Sequence, residues 1–186
     1  MREEINRAVE VLRGGGIILY PTDTVWGIGC DATNAEAVEK IYRLKGSANK
    51  KGMIVLVDTA TNVGRYIRHI PEVAYDLMEL TDKPLTLILD GAVGVAPNLV
   101  PEEGSLAVRV PDHDFCRQLV ARLRRPLVST SANFSGEPTP THFEDIVEGI
   151  RNGVDMVINP AFEGNPTRTA SSIMMIKENG EFKILQ

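Results

Sequence analysis

The chain has 186 residues, 43% apolar and 24% charged, the length and composition of one globular domain with a substantial core. Its formal net charge of −5 argues against nucleic-acid binding through the bulk field of the protein, while leaving room for a local basic groove. No apolar run approaches the ~20 residues of a membrane span, the start MREEINRAVEVL lacks the apolar centre of a secretory leader, and Cys30 and Cys116 are too few for a disulfide framework or zinc site. A cytoplasmic chain with buried free thiols is expected.

In chain order, Ile5, Val9 and Leu12 recur at helical spacing, so residues 3–13 read as a surface helix stopped by Gly14-Gly15-Gly16. Ile17–Tyr20 reads as a buried strand, Pro21–Thr24 as a bend and Val25–Cys30 as a second extended run. Val38, Ile41 and Leu44 mark a helix over 35–45 with Asn34 as its N-cap. Met53–Val57 reads as a strand, and Val73, Leu77 and Leu80 as a helix starting near Pro71. Leu85–Leu89, Leu106–Val110 and Leu127–Ser129 read as strands, with an amphipathic helix through Phe115, Leu119 and Leu123 before the last. Glu144–Ile150 reads as a helix and Met156–Ile158 as a short strand. Ile173–Lys177 and Phe182–Leu185, joined by Glu178-Asn179-Gly180, read as a hairpin. Helices and strands mix without a strict βαβ repeat, which predicts an α/β domain on a twisted, mixed sheet.

Three segments put small hydroxyl and amide residues at strand ends, where open α/β sheets bind ligands: Pro21–Gly29, Gly104–Pro111 and Ser129–Gly136. Taken singly, each is as readily a set of caps and turns. Arg109, between Val108 and Val110, alternates to the face opposite its valines, where a guanidinium meets either solvent or a carboxylate or phosphate in a cleft. Arg43, Lys45, Lys50 and Lys51 form a basic run without an acid. There is no phosphate-binding glycine loop followed by Lys-Ser/Thr. Gly14-Gly15-Gly16 precedes a strand instead of following one, and His69, His113 and His142 have no metal-ligand spacing, so no metal held by side chains is expected.

Four motifs in order resemble the threonylcarbamoyl-AMP synthase (YrdC-type) family: Pro21–Gly29, Lys45-Gly46-Ser47, Leu106–Pro111 and Ser131–Gly136, with matching spacing from about residue 10 onward. The resemblance implies one YrdC-like domain over residues 1–186, a mixed parallel and antiparallel sheet with flanking helices and an open concave groove. It implies an enzyme, a nucleotidyltransferase that joins threonine, bicarbonate and ATP into threonylcarbamoyl-AMP and pyrophosphate. A downstream transferase would use that product in tRNA processing, to make threonylcarbamoyladenosine. Carried over by position, Thr24, Arg109, Ser129 and Ser171 would meet threonine, with Arg109 on its carboxylate. Lys51, Ser105, Ser131 and Thr139 would meet ATP. Lys45, Ser131 and Asn133 would act at the reacting phosphate, Lys45 and Lys51 as mobile point charges. Magnesium would arrive bound by the phosphates.

The match departs at four places. Ser47 stands where the family has an arginine, Leu56 where many relatives have a histidine, Gln186 near where they carry an arginine, and Trp26 where they have tyrosine. Losing a phosphate-facing arginine costs on the order of 2–4 kcal/mol in a phosphoryl transition state, and Lys50 or Lys51 would have to fill the gap. The Ser47 and Gln186 departures also keep open a second reading, a double-stranded RNA or tRNA-binding module of the same fold with little or no turnover, and Leu56 a third, a related enzyme using another carbamoyl or acyl substrate.

Overall fold

The structure, a computed structural model, describes residues 1–47 and 53–186. Helix α1 (Arg2–Arg13) buries Ile5, Ala8, Val9 and Leu12 as one stripe and carries Glu3 and Glu4 in its first turn, where the helix dipole favours acids. Strands β1 (Ile18–Tyr20) and β2 (Gly27–Gly29) follow around the polar bend. Helix α2 (Ala35–Lys45) starts where the Asn34 side chain accepts from the Ala37 amide, and stops at Gly46 in the left-handed region, φ 68°. Then come β3 (Ile54–Leu56), α3 (Ala60–Val63), α4 (Glu72–Leu80), β4 (Leu85–Asp90), β5 (Ser105–Arg109), α5 (Asp114–Leu123) and β6 (Leu127–Ser131). Helix α6 (Glu148–Gly153), β7 (Met156–Val157), β8 (Ser172–Ile176) and β9 (Phe182–Ile184) complete the described elements.

The strands form one open sheet in the order β7-β1-β2-β6-β3-β5-β4-β8-β9. β1 with β7, β3 with β5, and β4 with β8 are parallel; the other neighbours are antiparallel. Paired residues share a face, so the register sorts the side chains. One face presents Leu19, Ile28, Val128, Val55, Val108, Leu87 and Leu89 to a core completed by α2, with Ala37, Val38 and Ile41 buried in it. The opposite face is divided. Ile18, Tyr20, Leu56 and Leu127 pack beneath α1 and α5 through Leu12, Phe115, Leu119 and Leu123. Further along the same strands that face carries Ser129, Ser131, Ile54, Ala107, Thr86 and Ile88, which no described helix covers and which line a cavity.

The α/β reading and the mixed sheet hold. One predicted element is corrected: Glu144–Ile150 is not one helix. A 3-10 turn over Phe143–Asp145 is followed by Ile146 and Val147 in extended conformation, and α6 starts only at Glu148. Ile146 and Ile150, four apart and both buried, imitate a helical stripe, but they reach the core from two separate pieces. Helix α3 and 3-10 turns at Pro97–Leu99 and Pro160–Phe162 are too short for periodicity to reveal.

Glycine matters most at Gly29. A Cβ there would lie 2.5 Å from the Val128 carbonyl oxygen and 2.6 Å from Tyr20 Cε1. Its absence lets the fully buried Tyr20 ring cross the strand and donate from its hydroxyl to that same carbonyl at 2.9 Å. Gly29→Ala is therefore expected to destabilise the fold by about 1–3 kcal/mol in urea unfolding, since backbone must move to admit the methyl. A neutral result would mean that Tyr20 does not need this close approach.

Candidate functional site

The cavity on the uncovered sheet face has a volume of about 840 Å³. Its floor is the strand surface of Ser129, Ser131, Ile54, Ala107 and Thr86. Its walls come from Thr24–Gly27, from Lys45–Ser47 at the end of α2, from Ser135, Gly136 and Thr139, and from Ala170 and Ser171. The bend between β1 and β2, the exit of β6 and the approach to β8 thus converge although they are far apart in sequence.

At the boundary between the cavity and the α1–α5 layer sits Arg109, 3% exposed. Its NH1 makes a short ion pair with Asp23 Oδ1, and its NH2 lies 3.4 Å from Thr24 Oγ1. Asp23 also accepts from the Asp112 amide at 3.0 Å through its other oxygen. Thr24 Oγ1 is 3.0 Å from Thr22 Oγ1, which in turn donates to the Val25 carbonyl at 2.7 Å. The guanidinium is thereby locked and its charge met from within the protein; Arg109 Nε is buried without a partner. The sequence reading found Arg109 and its face but not Asp23, which lies between two of the motif's threonines.

Lys45 departs most from expectation. It is 8% exposed, and its ammonium donates to the carbonyls of Ser131 and, at 2.9 Å, Asn133. Its own carbonyl accepts from the Ser135 amide at 2.8 Å. It is a buried tie between the end of α2 and the loop after β6, not a mobile point charge. Burial pushes its pKa down to about 8.

Ser129 and Ser171 are buried on the cavity wall, and Ser171 Oγ is 2.7 Å from Thr86 Oγ1, a hydroxyl the sequence reading did not select. Ser131 and Thr139 also line the cavity. Asn133 is not among the lining residues: its amide donates to the carbonyls of Phe134 at 3.0 Å and Glu137 at 3.1 Å, and shapes the loop. Ser105 is buried beside Glu103, 3.2 Å from its carboxylate, and also lies off the lining. Lys51, with Lys50, falls outside the described residues.

The departures from the motif are also located. Ser47 lines the cavity with its hydroxyl 2.6 Å from Ser135 Oγ. Gln186 lines it too, with its backbone carbonyl accepting from the Ile173 amide at 3.1 Å. Leu56 is fully buried beneath the helix layer and does not line the cavity. Trp26 is a wall, its ring centroid 4.8 Å from that of Phe143 and its Nε1 donating to Glu163 at 2.8 Å. Glu163 also pairs with Arg168 at 3.4 Å, and the amides of Thr167 and Arg168 donate to the carbonyls of Asp23 and Thr24 at 2.9 Å. This strap ties the bend to the segment before β8.

Among the described lining residues the cations are Lys45 and Arg109, both already engaged, and there is no carboxylate. Nor do the described residues contain a group of three His, Cys, Asp or Glu side chains able to hold a metal. The lining offers hydroxyls and backbone groups, a set suited to carboxylate, amine and phosphate oxygens. No described helix is long and apolar enough to cross a membrane.

The chain matches the Sua5/YciO/YrdC family model, described as telomere recombination, over residues 10–186. It is 30% identical over 189 residues to threonylcarbamoyl-AMP synthase of Homo sapiens, covering 99% of this chain and 67% of that protein. It is 33% identical over 166 residues to threonylcarbamoyl-AMP synthase of Stutzerimonas stutzeri, covering 88% and 89% respectively. Among solved structures, P. abyssi Sua5 complexed with L-threonine superposes with a TM-score of 0.83 at 28% identity over 92% of this chain. A doubly substituted P. abyssi Sua5 gives a TM-score of 0.87 at 28% identity over 98% of this chain. The chain spans about half the length of these two P. abyssi chains, 50% and 52%.

Two outcomes test the site's construction. Asp23→Asn, which keeps the shape but strands the Arg109 charge, is expected to cost about 3–5 kcal/mol in urea unfolding, and a loss below about 1 kcal/mol would contradict the lock. Lys45, with a folded pKa of about 8 against its ordinary 10.5, binds fewer protons folded than unfolded between those values. Its contribution to stability is therefore complete above 10.5 and lost as the pH falls through about 8. The unfolding free energy relative to Lys45→Met should rise across that window; a flat difference would mean that burial does not discharge Lys45.

Proposed function

The chain belongs to the Sua5/YciO/YrdC family, and on that premise we propose that it is a nucleotidyltransferase that forms threonylcarbamoyl-AMP and pyrophosphate from threonine, bicarbonate and ATP. The observation that carries this reading is the locked Arg109 beside Thr24 at one end of a hydroxyl-floored cavity. An oriented guanidinium with hydroxyls around it suits an amino acid, and the cavity, about 840 Å³, extends to Ser131, Ser47 and Thr139, with volume for a nucleotide besides.

In this mechanism Arg109 holds the threonine carboxylate, and Thr24, Ser129 and Ser171 orient its amine and hydroxyl. The amine nitrogen forms a bond to the carbon of bicarbonate as a C–O bond breaks, giving a carbamate and releasing water. A carbamate oxygen then attacks the α-phosphorus of ATP: the new P–O bond forms as the bond to the β-phosphate bridging oxygen breaks, and pyrophosphate leaves. Such chemistry asks chiefly for two anions brought into line in a preorganised polar site. Ser131 and Thr139 face the nucleotide. Lys45 acts through the Ser131 and Asn133 carbonyls, holding the loop after β6 in place. The described lining residues offer no carboxylate side chain, and magnesium would enter on the triphosphate's own oxygens and screen their charge. The product would pass to a transferase that modifies tRNA.

The charge inventory bears on rate. Ser47 and Ser135 share a hydrogen bond where the family motif has an arginine, so phosphate screening falls to Lys50 and Lys51. Pyrophosphate release is expected to require both threonine and bicarbonate; release indifferent to threonine would overturn the reaction, and RNA binding without turnover would favour the binding-module reading. Ser47→Arg is expected to raise kcat/KM for ATP about tenfold, from one added charge-assisted contact. If Lys50→Ala and Lys51→Ala each leave turnover unchanged, the doubled lysine is not the source of screening.

A further inference from the structure

A second cavity, of about 330 Å³, opens at the opposite end of the central strands, between the residues that follow β3 and those that precede β6. Its size is at the low end for a ligand pocket and suits one small polar group. Three arginines line it, Arg65, Arg124 and Arg125, in a chain whose net charge is −5.

The acids nearby do not use up these charges. Arg125 pairs with Asp31 at 2.6 Å; Asp31 is 1% exposed and also accepts from the Thr33 amide and hydroxyl, so it is fixed in place. Asp58, the carboxylate on the lining, turns its Oδ1 to the Asn62 side chain at 2.7 Å and the Thr59 amide at 3.1 Å. The guanidiniums of Arg65 and Arg124 make no hydrogen bond or ion pair with any described residue. Tyr66 adds a hydroxyl to the same lining, within the field of Arg65 and Arg125. Arg124 caps α5 in the left-handed region, φ 59°, a position usually given to glycine or asparagine; this turn places Arg124 and Arg125 together at the rim.

We infer that this second cavity is a phosphate-binding site, in which Arg65 and Arg124 grip the oxygens of a phosphate group. With Asp31 set against Arg125 and Asp58 turned to Asn62, the surplus is positive and matches a singly charged phosphate, whether free or in an RNA backbone. The fork of a guanidinium suits the paired oxygens of either.

Amide chemical shifts locate the binding. Inorganic phosphate, and separately a short RNA duplex, are titrated into the full chain. Shifts at Tyr66 and Ala121, weakened about tenfold or more in Arg65→Gln/Arg124→Gln, are the expected result. Arg122→Gln, on the same helix but off the cavity, should leave the affinity within about twofold. Response to phosphate names the free anion as ligand; response to the duplex alone names the backbone phosphate. Shifts confined to Gly46 and Gly136, no shifts with either probe, or shifts equal in parent and double variant overturn the site. Should the double variant fail to fold, the single substitutions Arg65→Gln and Arg124→Gln carry the same comparison.

Discussion

A guanidinium inside a protein must have its charge met there, and Arg109 meets it with Asp23. Much of the candidate site is arranged around that pairing. Asp23 sits in the bend between β1 and β2, Arg109 at the end of β5, and Asp112 lends an amide from just before α5. The pair thus pins the β1–β2 connection to a central strand and to the residue that leads into α5. Thr24 rides on the same lock, and the strap through Thr167 and Arg168 braces the bend through its carbonyls. A buried pair of this kind adds little net stability, since desolvation offsets its attraction, but removing one partner is costly. Its value lies in fixing where a cation and a hydroxyl stand.

The second constraint is the division of one sheet face. Along β6 the side chains facing one way run from Leu127 to Ser129 to Ser131, and along β5 they run from Arg109 to Ala107. Leucine goes under the helices; small and hydroxyl residues go under the opening. The opposite face is apolar at Leu19, Ile28, Val128, Val55 and Val108 and closes against α2. The cavity is therefore a place where the helix layer stops, and the sheet supplies a rigid floor for it.

Most elements were legible because their patterns are strong: the stripe of α1, the Asn34 cap, the alternating runs of β4 and β5. Glu144–Ile150 misled because two isoleucines reach one core from separate pieces. In the site, residue types at strand ends pointed to segments that converge on the cavity, and Arg109's face followed from alternation alone. Partners did not follow. That Asp23 neutralises Arg109, that Lys45 spends its charge on two carbonyls, and that Thr86 meets Ser171 all depend on segments brought together by the fold. A motif read by position assigned Lys45 to phosphate and Asn133 to the reacting centre, whereas both side chains serve the loop after β6.

The strap has a further consequence for how the chain reaches this state. Trp26 and Glu163, which it joins, are 137 residues apart in sequence, and Ile17 and Asp155 at the neighbouring edge are 138 apart. Such contacts form late, because the loop they close is long and its entropy must be surrendered before the contact returns anything. On a chain emerging from the ribosome, the bend bearing Thr24 is made early and waits: Asp23 is unmatched until Arg109 appears, and the Trp26 indole until Glu163 does. The pocket is thus completed only after the segment carrying Ser171 and Ile173 has been made, and ligand binding is a property the chain cannot acquire before then.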